Sequence, residues 1–480
     1  DLICRAPLWE VIRHGPDEAR ARRFDMVNAE PLGPGHFSFG DAHQISHPAT
    51  EAAIVDLVAK TGPYDVVHFN NLEGVPVAVL PALRQAFPDL RIVLSLHNYY
   101  PICPQVNLWR EERALCTDFE GGAACTNCLQ EWHPASRLRM AQGLAYHLKC
   151  LGVRPKSRLW TWTFQASMAL GRRASRLLGS FRRALPQRAP KTVPNVSPSG
   201  SADPSASLSG GGTPAIAFAN RRRAMVEAIN GACDHVLSVS DATRSVALSY
   251  GFDPARSRTC YIGTLQSDVF AQTAPRSIPQ SAGEDDLSSA PLTLGYLGYM
   301  RRDKGFFFLL DALEALPDAL LARLGLVVAA RRGPPEAMAR LAALKPRLAQ
   351  LIHHDGYTHD TLDEILAPVD IGLVPVMWYD NLPQVAIEMH ARHLPLLCAA
   401  LGGAPELADC EAMTFPAGDS AAFRARFEAI LAGDIDFDAY WEGAQAPVSM
   451  EEHITELLEI YRSRAATKGL SYQGTDVAAS

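Results

Sequence analysis

The stretch Trp378-Tyr379-Asp380-Asn381-Leu382-Pro383-Gln384-Val385-Ala386-Ile387-Glu388 sets two carboxylates eight positions apart across a loop-to-helix junction. Just upstream, Ile371-Gly372-Leu373-Val374-Pro375-Val376 is the short apolar, β-branched run of a buried parallel strand. Pro383 suits a first helical turn, where its missing N–H costs no hydrogen bond. Asp380 is therefore expected at the strand's carboxyl end, where open α/β sheets bind ligands, and Glu388 about one and a half turns into the helix. The free N–H groups between them, with the positive end of the helix dipole, favour a diphosphate. The carboxylates suit hydrogen bonds from the hydroxyls of a sugar or ribose. The competing reading is a surface helix capped by Asp or Asn.

Working outward, short β-like runs alternate with helical stretches from about residue 60, the signature of a doubly wound parallel sheet. The first series places strands at Asp65–Asn70, Arg91–Leu96, His235–Val239 and Arg258–Ile262. A second series gives Leu292–Leu297, Leu326–Ala330, Leu351–His354, Ile371–Val374, Leu396–Ala399 and Met413–Phe415. The Ser/Pro/Gly/acid stretch 271–290 between them has no periodicity and reads as a linker. The expected organisation is an N-terminal α/β domain over 1–270, a C-terminal one over 291–450, and a closing helix and tail over 451–480. Ile454, Leu457, Leu458 and Tyr461 give that last helix an apolar stripe for packing.

Two further loops follow strands of the second series. Gly298-Tyr299-Met300-Arg301-Arg302-Asp303-Lys304-Gly305 brings three cations to the head of a helix expected over Phe306–Leu316, where the forked Arg groups and the mobile Lys charge could hold a diphosphate. Leu401-Gly402-Gly403-Ala404-Pro405-Glu406 is a glycine loop. If one sheet carries all three, Arg301, Arg302, Lys304, Asn381, Leu382, Glu388, Gly402 and Gly403 converge on the donor. From the first series, Leu94-Ser95-Leu96-His97-Asn98 sets His97 at a strand end, with His68, Asn70 and Asn71 at the end of its neighbour. A core histidine satisfied by a carbonyl is the alternative for His97.

The chain of 480 residues is too long for one typical core, and its 48% hydrophobic content supports two. A net charge of −7 argues against a general nucleic-acid binder. No apolar run approaches the roughly 20 residues of a spanning helix, so a cytoplasmic location is expected. Residues 151–191 nevertheless carry ten Arg or Lys and no Asp or Glu, with Trp160, Trp162 and Phe164 near their start. Such a segment, within an insertion over 151–214, either touches an anionic membrane and guides a lipid-linked acceptor or is a solvated helical face. Cys103, Cys116, Cys125 and Cys128, spaced C-x12-C-x8-C-x2-C in one loop, match a structural zinc site. Reduced thiols and disulfides are the alternatives, and the six other scattered cysteines favour a reducing compartment.

Together, Asp65-Val66-Val67-His68-Phe69-Asn70, Ser95-Leu96-His97-Asn98-Tyr99-Tyr100-Pro101-Ile102-Cys103-Pro104, Asp234-His235-Val236-Leu237-Ser238-Val239-Ser240, Lys304-Gly305 and the carboxylate pair ahead of Gly402-Gly403 resemble the retaining nucleotide-sugar glycosyltransferases of family 4. That resemblance covers about Tyr64 to Ala408 and implies a GT-B fold, two facing Rossmann-like domains with parallel sheets. It implies a nucleotide-diphosphate sugar as donor and a glycan or lipid-linked acceptor, in synthesis of polysaccharide, lipopolysaccharide or another cell-surface glycan, without a catalytic cofactor. Asp380 would touch the donor sugar, Glu388 the ribose, Arg301 or Arg302 and Lys304 the diphosphate, and His97 the sugar near the reaction centre. The chain departs from the family in three places. The first carboxylate is Asp, Tyr299 stands where relatives often carry Arg, and no first strand with a Gly-rich loop is recognisable before Tyr64. A nucleotide-sugar 2-epimerase and a non-catalytic sugar-nucleotide-binding scaffold are the alternatives on the same fold.

Overall fold

The computed structural model describes residues 6–12, 22–129, 135–154, 157–164, 166, 214–278 and 291–463. Its first strands, β1 (Leu8–Val11) and β2 (Phe24–Val27), form an antiparallel two-stranded ladder. A parallel sheet follows, with β3 (Val66–Phe69), β4 (Arg91–Leu96), β7 (His235–Ser238) and β8 (Ser257–Thr259) in the order 3-4-7-8. The short antiparallel pair β5 (Trp109–Arg110) and β6 (Ala114–Leu115) lies in the loop after β4. The position expected for a first strand and its Gly-rich loop is thus held by the β1–β2 ladder, which does not join the parallel sheet.

The second sheet contains β9 (Leu292–Tyr299), β10 (Leu324–Arg331), β11 (Gln350–His354), β12 (Ile371–Val374), β13 (Leu396–Ala399) and β14 (Thr414–Phe415), all parallel. Its order is 11-10-9-12-13-14. Numbered within the sheet this is 3-2-1-4-5-6, the doubly wound Rossmann order, whose ligand crevice opens where the order reverses, between β9 and β12. All four residues of β12 and the first six of β9 are buried, as expected of strands covered on both faces. Pro375, which has no N–H to give a neighbouring strand, follows β12 directly. The helix Phe306–Glu314 packs a nearly unbroken buried face on this sheet and ends two residues short of the sequence expectation.

The carboxyl ends of the two parallel sheets face each other. The backbone carbonyl of His97, just past β4, accepts from Asn381 Nδ2 in the loop past β12. Trp378 and Tyr379 pack against the core of the first sheet. The architecture is therefore the expected GT-B-like pair of Rossmann-like units. The closing helix, Met450–Arg462, returns to the first unit: Leu457, Ile460 and Tyr461 join Val93, Leu237 and Cys260. Where the chain leaves the first unit and where it comes back, the two segments run side by side, with Thr264 N–H donating to the Val448 carbonyl at 2.9 Å.

Two expectations change in detail. Pro383 is the extended residue before the helix (φ −62°, ψ 123°) rather than part of its first turn, and the helix Gln384–His390 is only seven residues long. Its dipole therefore adds little, and any attraction for an anion rests on side-chain cations and loop amides. The helix Gln266–Gln272 occupies the start of the stretch read as a linker, and residues 279–290 of that stretch lie outside the described residues. Of the basic insertion, residues 158–164 are helical, and most of the remainder also falls outside the described residues.

Candidate functional site

Three loops meet at the reversal point of the second sheet. From β9 comes 300–305, from β12 comes 375–383, and from β13 comes 400–404. Lys304 Nζ reaches across the crevice to Asp380 Oδ2 at 2.5 Å, and Asp380 is 6% exposed. The Met377 N–H donates to the Asp303 carbonyl at 2.9 Å, and the Gly403 N–H to the Asp380 carbonyl at 3.0 Å. These approaches explain two glycines. A Cβ on Gly305 (φ +74°) would lie 1.7 Å from the Pro375 carbonyl oxygen, and one on Gly402 (φ +76°) 2.2 Å from that of Asp380. Arg301 is held by Asp303, Nε to Oδ1 at 2.9 Å, and the Arg302 guanidinium lies over the Phe307 ring at 4.4 Å. Lys304 is thus the cation of the three that points into the crevice at Asp380.

Glu388 is 2% exposed and does not stand free. Its Oε2 accepts from the Tyr357 hydroxyl at 3.0 Å, and His359 Nδ1 lies 3.7 Å from Oε1. Burial pushes its carboxyl above the ordinary range, against the pull of Tyr357, His359 and Arg392. Tyr357 and His359 belong to the loop past β11, so a fourth strand-end loop joins the site. No motif marked them in the sequence, because their partner lies about thirty positions away.

On the facing side, His97 stands just past the end of β4, partly open to solvent. Burial within the cleft, and then the neighbouring His453, lower its imidazole pKa. Asn381, Leu382, Gly402 and Gly403 come together at the crevice as expected, with Asn381 bridging to His97. His68 turns elsewhere: Nδ1 meets the Tyr461 hydroxyl at 2.6 Å and Nε2 meets Ser95 Oγ at 2.8 Å, so it fastens the closing helix to the sheet. The interdomain contact made by Glu406 went unread in the sequence. Its carboxylate accepts the backbone N–H groups of Asp241 (3.0 Å) and Ala242 (2.6 Å) at the start of the helix Asp241–Ser249, and the Tyr261 hydroxyl at 2.7 Å. An acid at a helix start is a recognisable signal only within one stretch of chain, and here it arrives from another unit.

Cys103, Cys116, Cys125 and Cys128 are all buried, free thiols. They gather around the short β5–β6 pair, but no three of their sulfurs form a metal-ready group. Among the described residues, Glu30, Asp41 and His43 alone bring three ligand atoms within 4.8 Å of one another, and there Arg139 already pairs with Glu30.

Residues 291–433 match the family model described as Glycosyl transferases group 1. The match spans the second sheet with its three loops and less than half of the chain. No curated protein matches the sequence. Among solved structures, the chain is similar to Anabaena HepE in complex with UDP (13% identity, TM-score 0.45, 86% of this chain and 82% of that one). It is also similar to sucrose-phosphate synthase from Thermosynechococcus elongatus (16%, 0.48, 94% and 86%). A third is the UDP-forming α,α-trehalose-phosphate synthase from Burkholderia xenovorans (12%, 0.45, 86% and 77%). At these values the likenesses add nothing to what the strand order shows.

Proposed function

We propose that the chain moves a sugar from a nucleoside-diphosphate sugar to an acceptor hydroxyl with the anomeric configuration retained. The reading rests on one observation: at the reversal point of a 3-2-1-4-5-6 sheet, Lys304, Asp380 and the Gly402-Gly403 loop meet within one crevice, with Glu388 buried on the helix behind them. The family match over 291–433 covers these residues and supports the same reading.

In it, Glu388 takes the ribose hydroxyls in place of Tyr357 and His359, and Asp380 takes a hydroxyl of the donor sugar. An ammonium has three donors, so Lys304 can keep Asp380 and still reach a phosphate oxygen. Arg301 and Arg302 swing in from the same loop, and the amides of Asn381, Leu382 and Gly402 complete the diphosphate cradle, while the Gly403 N–H holds the Asp380 carbonyl. As the glycosidic C–O bond breaks through an oxocarbenium-like transition state, negative charge grows on the departing diphosphate, where preorganised cations and amides lower the barrier most. His97, its imidazole pKa lowered by burial and then by His453, positions the sugar by hydrogen bonding.

The acceptor belongs to a polysaccharide, lipopolysaccharide or other cell-surface glycan, reached from the cytoplasmic face of a membrane. Exposed Leu151, Leu159 and Trp162 beside the basic run support such peripheral contact. Calorimetry with UDP, GDP and ADP, followed by product analysis with the matching sugar nucleotides, tests the proposal. One nucleotide should bind, and Glu388→Ala should weaken it by about 10- to 150-fold, as for a lost charged hydrogen bond. No heat with any nucleoside diphosphate would sink the reading.

A further inference from the structure

Between β2 and the helix Pro48–Thr61 the chain has no regular structure beyond two short 3-10 turns, Gly35–Ser38 and Ala42–Gln44. Two points of that segment are drawn together. Asp41 caps the second turn, its Oδ1 accepting the His43 N–H at 2.9 Å, and His43 Nδ1 lies 3.3 Å from the same oxygen. Glu30 comes up from the end of β2, so that one ligand-type atom from each of Glu30, Asp41 and His43 lies within 4.8 Å of the other two.

The polar groups at this point are not satisfied by one another. Glu30 is only 8% exposed; its Oε1 pairs with Arg139, but its buried Oε2 has no hydrogen-bond partner among the described residues. The buried Nδ1 of His43 has none either. A buried carboxylate oxygen and a buried ring nitrogen left without partners are costly unless an electron-poor group lies between them. Arg139 does not fill that place, since it meets the other oxygen of Glu30 and its side chain is 51% exposed. The surroundings do hold the three groups in position. The Glu30 N–H donates to Thr50 Oγ1 at 3.1 Å, and Thr50, fully buried, meets His47 Nδ1 at 2.7 Å. The His47 ring in turn lies edge-on to that of His43, with 4.8 Å between centroids. Outer contacts of this kind are what orient carboxylate and imidazole ligands.

We infer that Glu30 Oε2, Asp41 and His43 Nδ1 bind one Zn2+, which ties the end of β2 to the turn ahead of the helix Pro48–Thr61. Zinc takes imidazole nitrogen and carboxylate oxygen at about 2.0–2.2 Å, which sets tetrahedral ligand atoms about 3.3–3.6 Å apart. The Asp41–His43 pair already stands at that spacing, and a small rotation of the Glu30 side chain brings in the third atom. His43 binds as the neutral imidazole with its proton on Nε2, both carboxylates bind ionised, and water takes the fourth position. One nitrogen and two carboxylates suit zinc better than Ca2+ or Mg2+, which call for about six or more oxygen ligands. The ion would also brace the wall beside His97. The Gly35 N–H, from the same segment, donates to Glu73, and Glu73 accepts from Asn98 Nδ2 at 2.6 Å.

The inference stands apart from the proposed transferase activity, and its test reads metal rather than turnover. Full-length protein stripped with chelator is titrated with Zn2+ by calorimetry, and a second sample is loaded with Co2+ for absorption spectroscopy. One equivalent of zinc should bind and raise the melting temperature. The first equivalent of cobalt should give a d–d envelope without a sulfur charge-transfer band. Asp41→Asn keeps the capping oxygen and Glu30→Gln keeps the side-chain shape. Each should weaken zinc by more than the roughly 10- to 100-fold that loss of an outer partner costs. Arg139→Gln, which releases Glu30, should bind zinc at least as tightly as the wild type. No heat with zinc, equal binding by both carboxylate variants, or a sulfur band from the first equivalent of cobalt would each overturn the site. Should either variant fail to fold, the wild-type titration and cobalt spectrum decide by themselves.

Discussion

Lys304 and Asp380 hold each other across the crevice, and each serves a different purpose in doing so. Asp380 is nearly enclosed, so removing its partner leaves a carboxylate with little solvent, whereas Lys304 remains 30% exposed along its side chain. Lys304→Met should therefore cost about 1–3 kcal/mol of stability in urea unfolding, below the full value of a buried pair because of that exposure. It should also lower kcat by roughly 100- to 1,000-fold, the usual loss for one preorganised donor to a developing anion. The double variant Lys304→Met/Asp380→Asn separates the two effects. It should regain most of the stability and none of the turnover, and recovery of both would mean the pair is structural only.

At the scale of elements, the loops that follow strands make the site, and their tolerances are narrow. Gly402→Ala combines an unfavourable left-handed backbone with a Cβ lying 2.2 Å from the Asp380 carbonyl oxygen. It should shift the whole 400–404 loop and abolish nucleotide binding in calorimetry while the far-ultraviolet circular dichroism is unchanged. Glu406→Gln weakens the one acid that caps the helix Asp241–Ser249 from the other unit. A loss of about 1–2 kcal/mol is expected, seen in calorimetric unfolding as a broadening toward two transitions. A single unbroadened transition at the wild-type melting temperature would show that the contact does not couple the units.

Which of these elements could be read from the sequence follows from how far each signal reaches along the chain. Arg91–Leu96, Ile371–Val374 and Leu396–Ala399 were legible to the residue, because a strand buried on both faces is a short, nearly continuous apolar run. The strand-end loops were legible from glycines and charges within a few positions of those runs. The grip of Tyr357 on Glu388 and of Glu406 on Asp241 was not, since no local periodicity encodes a contact between two loops of the folded sheet. The β1–β2 ladder was also missed: its four-residue strands carry Glu10 and Asp25, too short and too charged to stand out.

For the molecule as a whole, acid should loosen the fold in a defined window. Burial lowers His68 and His390 to about 4 from an ordinary value of 6.5. Between those values the unfolded chain takes up protons that the folded chain refuses, so stability falls as pH drops from about 6.5 toward 4, and these groups contribute no slope above 6.5. Urea midpoints from pH 7.5 down to 4.5 should show this, and His68→Gln should flatten the slope. An unchanged slope would remove His68 from the account.

The paired crossings at Thr264 and Val448 set how the two halves can move. Two chain segments lying side by side at one margin act as a door hinge with both pins on the same jamb, and the closing helix is screwed to the frame by Tyr461. Swinging about that margin is the easy motion, whereas sliding or counter-rotation would have to tear Thr264 from Val448. Glu406, which accepts the Tyr261 hydroxyl three residues before that crossing, pins the second half close beside the same jamb.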